Sequence, residues 1–125
     1  MVQVEISQLT AECNSWREAL RRYREEFSRD KHQLQETASQ ALSKEQLQDV
    51  EHLHNQFHIQ LINIHDLKHS IKVHHRLIDF ELREHNGQMR EETLADHENL
   101  FDQFQNLDVT LQDLRGEFDR FITKT

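Results

Sequence analysis

Residues 47–82 read LQDVEHLHNQFHIQLINIHDLKHSIKVHHRLIDFEL, a stretch with neither proline nor glycine. Along it Leu47, Val50, His54, Phe57, Leu61, Ile64, Lys68, Ile71, His75, Ile78 and Leu82 recur at alternating steps of three and four. That spacing lays one stripe along a helix. From Phe57 to Ile64 the pattern locally alternates as a strand would, but the helical period on both sides is longer and outweighs it.

The same period extends outward in both directions. Ile6, Leu9, Cys13, Trp16, Leu20, Tyr23, Phe27, Leu34 and Ala41 form a first seam, interrupted by Asp30. The interruption predicts either a local splay of the helices or a base across the seam. His97, Leu100, Phe104, Leu107, Leu111, Leu114, Phe118 and Phe121 form a third seam, widened by Phe101 and Ile122. Ser43 followed three residues later by Gln46 reads as a capping box and marks a helix start. With no glycine or proline nearby, the alternative is a single helix running on through residue 84. Asn86-Gly87 reads as a helix stop, because glycine adopts the left-handed conformation without steric cost. The chain is therefore expected to be one helical domain over 1–125, with helices at about 3–41, 44–85 and 88–122.

The 125 residues contain no proline and only two glycines, too few turn formers for a sheet protein. Hydrophobic residues make up 35 % and charged residues 30 %, a balance suited to long helices with narrow apolar stripes. Short connections set successive helices antiparallel, so the expected fold is all-α: an elongated up-down-up three-helix bundle with coiled-coil-like seams. In length, helix number and a first-helix tryptophan, Trp16, the pattern resembles the spectrin repeat, and the likeness implies architecture alone. His54-Asn-Gln-Phe-His-Ile-Gln-Leu61 with Asp66-Leu-Lys-His69 resembles small uncharacterised bacterial helical proteins, which implies no activity.

The formal charge is −8, and the acid surplus is greatest after residue 88, which disfavours a nucleic-acid partner. The arginines between Arg17 and Arg29 alternate with Glu18, Glu25 and Glu26, the signature of a solvated helix face. Cys13 is the only cysteine, so an internal disulfide is excluded and a reducing, cytoplasmic setting is expected. Met-Val-Gln-Val-Glu at the start lacks the features of a secretory leader, and no apolar run reaches the ~20 residues of a membrane span. No membrane association is expected.

The middle helix carries more apolar residues than one seam uses. Ile59, Ile62, Val73, Leu77 and Phe80 fall on a second line, broken by Asp66 and His69, with Ile59 about 160° around the helix from Phe57. An apolar line so far from the seam calls for another partner. The expectation is a homodimer through the middle helices, with a different protein partner as the alternative occupant.

Ten histidines are the compositional anomaly, and seven of them lie between residues 52 and 75. The i,i+4 pairs His54/His58 and His65/His69 place imidazoles on one face at metal-ligand spacing. Glu51-x-x-His54 matches one half of a di-iron carboxylate element, but Asp66-x-x-His69 lies ~22 Å along the same helix and cannot share its metal. His54 and His75 on the seam are expected to be neutral, hydrogen-bonded core groups. Full protonation of the histidines would carry the charge from −8 to +2, so acid is expected to loosen the bundle.

No glycine-rich phosphate loop, strained nucleophilic serine or marked carboxylate pair is present, and Cys13 on an apolar seam is expected to be inert. The residues thus read as a noncatalytic helical interaction or structural module that self-associates and needs no cofactor. A metal-binding protein using His54, His58, His65 and His69 is the alternative.

Overall fold

The computed structural model describes residues 6–84 and 88–125. Three helices account for nearly all of them: α1 (Ile6–Ala38), α2 (Lys44–Glu84) and α3 (Glu91–Lys124), with no strand among the described residues. None of the three is long and apolar enough to cross a membrane. The helices lie up-down-up. Phe57 of α2 packs on Phe27 of α1 and Phe118 of α3, with ring centroids 5.5 and 5.4 Å apart, while His74, further along α2, meets His97 near the start of α3.

The break between α1 and α2 falls where the capping box puts it. Ser43 N–H donates to Gln46 Oε1 at 2.8 Å, and Gln46 N–H donates to Ser43 Oγ at 3.1 Å, so two donors at the α2 N-terminus are satisfied reciprocally. Ala41, placed by its spacing on the first seam, lies beyond the end of α1 and is exposed. The Asn86-Gly87 stop lies outside the described residues.

Most residues of the first and third lines are buried, while Ile6, Tyr23, Phe104 and Leu107 are partly so. Leu9, Cys13, Trp16, Leu20, Phe27 and Leu34 are buried on α1, and His97, Leu100, Leu111, Leu114, Phe118 and Phe121 on α3. The interruption at Asp30 has a base across it: Arg115 Nε of α3 stands 3.7 Å from Asp30 Oδ2, and Arg115 Nη1 donates to Glu26 at 2.9 Å. Burial raises the Asp30 pKa and the Arg115 charge opposes that rise. A little further along, the Tyr23 hydroxyl of α1 donates to Asp108 of α3.

The seam of α2 requires a correction. Phe57, Ile64, Ile71 and Ile78 are fully buried, as their spacing indicates, but the line alternating with them is Leu53, Gln60, Leu67, His74 and Glu81. Each lies one residue before the expected His54, Leu61, Lys68, His75 and Leu82. His54 and Leu82 are exposed, and His75 is only partly covered. The reason is that α2 packs against both neighbours, and α1 and α3 approach each other less closely than either approaches α2. The arc they cover is centred a fraction of a turn away from the one that the apolar residues alone suggest.

The shift brings Glu81 into the core, 1 % exposed, at the α2–α3 end of the bundle. Its carboxylate accepts the Thr93 hydroxyl at 2.5 Å and the Arg90 backbone N–H at 3.3 Å. Arg90 is the N-cap residue of α3 and offers no side-chain cap of its own. Glu81 therefore supplies, from a different helix, the anionic acceptor that the positive end of α3 favours. Glu81→Ala, which strands both donors, is expected to destabilise the protein by about 1–3 kcal/mol. Leu82→Ala, at an exposed position, is expected to cost no more than about 0.5 kcal/mol. Urea unfolding of both variants at neutral pH checks the order, which reverses if Leu82 is the core residue.

Candidate functional site

Two features of this framework have chemical or binding capacity: a polar cluster in the core and an apolar line on the outside of α2. The cluster is built from all three helices. Cys13 projects from α1, His74 from α2 and His97 from α3, all buried, and one ligand atom from each lies within 4.8 Å of the others. Among the described residues these are the metal-ligating side chains that converge as a group of three.

The imidazoles are in direct contact, with His74 Nε2 and His97 Nδ1 3.0 Å apart. One nitrogen must donate and the other accept. His97 Nε2 has no hydrogen-bond partner, and Glu12 Oε2 stands 3.5 Å from it. A proton on His97 Nε2 faces that carboxylate favourably, which leaves His97 Nδ1 to accept from His74 Nε2–H. The Trp16 ring covers His97, with centroids 4.8 Å apart, and in turn packs on Phe101 and Phe104. The imidazole is thereby held in place from one side.

Burial sets the electrostatics of the cluster. It lowers the His74 pKa, with the neighbouring His97 acting in the same direction and Asp96 and Glu81 opposing. Burial also pushes the Cys13 thiol up to about 11, with Glu12 adding to the rise and Arg17 opposing it. A thiol held in its protonated form by burial is a poor nucleophile.

The four histidines singled out by spacing are elsewhere. His54, His58, His65 and His69 are all exposed on α2. By helical geometry they form a strip about 80° around α2 from the outer apolar line. That line consists of Ile59, Ile62, Val73, Leu77 and Phe80, between 36 and 57 % exposed. It runs for ~32 Å along the helix, on the side away from α1 and α3.

The sequence reading reached His97 as a seam residue and missed His74, choosing His75 beside it. The available signal was the seven-residue repeat Leu53, Gln60, Leu67, His74 and Glu81, which its polar members disguise. Compared with protein-family models, curated proteins and solved structures, the chain gives no match, so function is argued from the residues themselves.

His74 gives the fold a direction of pH response. Its folded-state pKa is lowered, so the unfolded chain, titrating near ~6.5, takes the proton more readily. Stability from this group is intact above that value and is lost as the pH falls below it, at no more than about 1.4 kcal/mol per pH unit for one proton. In chelator-containing buffer the melting temperature is expected to fall between pH 7.5 and 5.5. The fall should be shallower in His74→Leu, and equal slopes in the two proteins would exclude His74 as a source.

Proposed function

We propose that this chain is a noncatalytic helical interaction module that self-associates through the outer face of α2. The supporting observation is the line of five apolar side chains left exposed when α1 and α3 have covered the inner face of α2. Exposed apolar side chains gathered on one face of a helix, here interrupted by Asp66 and His69, favour a partner that covers them.

The spacing of the line favours a second copy of the chain as its occupant. Positions 59, 62, 66, 73, 77 and 80 are symmetric about a point between residues 69 and 70. A twofold interface is self-complementary, so if residue i meets j, then j meets i. Two α2 helices packed antiparallel about that point set Ile59 opposite Phe80, Ile62 opposite Leu77 and Asp66 opposite Val73. His69 then lies next to the axis.

Charge and the histidine strip set the conditions. With a formal charge of −8 per chain, two copies repel at long range, and salt should ease their approach. The exposed histidines beside the line would add like charges along the edge of the contact in acid.

Self-association predicts a mass of twice the chain in light scattering at tens of micromolar. Ile62→Glu and Leu77→Arg are each expected to yield a folded monomer, since both positions are exposed in the single chain. Combining them in one chain sets a glutamate opposite an arginine twice across the axis, and the dimer should return at least in part. A wild-type protein that stays monomeric up to about 100 µM removes the reading. Failure of the double variant to recover removes the antiparallel register.

A further inference from the structure

The buried cluster described above has a use that self-association does not require. The geometry points to a binding site for a thiophilic divalent transition-metal ion, of the zinc and cobalt class, held by Cys13, His74 and His97. This inference is independent of the dimer, because none of the three residues lies on the outer face of α2.

The donor set fits that class of ion. One thiolate and two imidazoles are borderline-soft ligands that suit zinc and cobalt and not magnesium or calcium. Tetrahedral zinc holds such atoms about 3.3–3.6 Å apart, from Zn–S of about 2.3 Å and Zn–N of about 2.0–2.1 Å. The present spacings, 3.0 Å between the facing nitrogens and none above 4.8 Å within the group, bracket that range. Bringing the three donors onto one ion changes these separations by no more than about 1.3 Å.

The surroundings match what such a site needs. Glu12 Oε2 faces the far nitrogen of His97 at 3.5 Å, the arrangement by which a carboxylate orients a metal-bound imidazole and raises its basicity. His97 is 95 % buried, and with its Nε2 turned toward Glu12 its Nδ1 is the nitrogen that faces the cluster. Trp16 closes one side against water. A surface groove lined by Leu9, Glu12, Leu94, His97, Glu98 and Asp102 leads to the outer edge of the cluster. Its three carboxylates draw a cation inward and give the ion an entry path.

The protons balance simply. Coordination releases the Cys13 thiol proton to solvent and leaves the sulfur as thiolate. The His74 proton moves from Nε2 to Nδ1, which frees Nε2 and His97 Nδ1 as the two nitrogen donors, while His97 keeps its Nε2 proton toward Glu12. Because the donors come from three different helices, the ion ties α1, α2 and α3 together, and binding to the folded state stabilises it.

Cobalt(II) added to untagged, chelator-treated full-length protein tests the site. The expected result is one ion per chain, an intense near-ultraviolet thiolate-to-cobalt charge-transfer band and visible absorption of tetrahedral strength, with zinc abolishing both. Cys13 is the only cysteine, so a sulfur band on monomeric chain reports this residue whatever any variant does. Cys13→Ala and His97→Phe, each checked for helical circular dichroism, should lose the band and weaken binding at least tenfold. Replacing His54, His58, His65 and His69 together with alanine should leave the band unchanged. Two outcomes overturn the site. One is cobalt binding without a sulfur band that disappears in the fourfold histidine variant, which assigns the metal to the surface pairs. The other is no binding at millimolar cobalt, which leaves a hydrogen-bonded core pair only.

Discussion

The inner face of α2 has to serve two neighbours at once. Phe57 sits between Phe27 and Phe118 and joins all three helices at one level, and Ile64, Ile71 and Ile78 continue the same column without exposure. A helix covered on two sides buries a wider arc than one meeting a single partner. That width draws Gln60, His74 and Glu81 out of water, although none of them is a residue that burial favours.

Each of these polar residues meets a different answer to the cost of burial. Glu81 accepts the backbone N–H of Arg90 and the Thr93 hydroxyl at the start of α3. Gln60 accepts from Asn63 along its own helix. His74 pairs with His97, and the pair lies against a cysteine and within reach of a glutamate. The first two arrangements are sufficient as packing. The third gathers a thiol and two imidazoles from three helices around one point. The outer face poses the opposite question, since it is apolar where water is the only neighbour within one chain.

Much of the architecture was legible from period and punctuation. Ser43 and Gln46 located a helix start that the structure realises through both hydrogen bonds. The base expected opposite Asp30 is Arg115, although nothing in the spacing could name it. The α2 register was not legible, and the reason is specific. Flanking Phe57, Ile64, Ile71 and Ile78, the line Leu47, His54, Leu61, Lys68, His75, Leu82 holds three apolar residues in six, and the line Gln46, Leu53, Gln60, Leu67, His74, Glu81 holds two. Hydrophobic counting therefore favours the line that the fold leaves outside.

By itself, then, the sequence determined the all-helical class and the apolar columns, and it marked a helix start at Ser43 without excluding one continuous helix through that point. All of these follow from local backbone preference and from the 3.6-residue period, which act within a single segment. Only the tertiary structure decided which flank of α2 faces inward, because that depends on where α1 and α3 sit around it. The same decision turned His74 toward Cys13 and His97 and left the more conspicuous pairs His54/His58 and His65/His69 in solvent. Residues 13, 74 and 97 share no local spacing, and their convergence follows from three helices packed side by side.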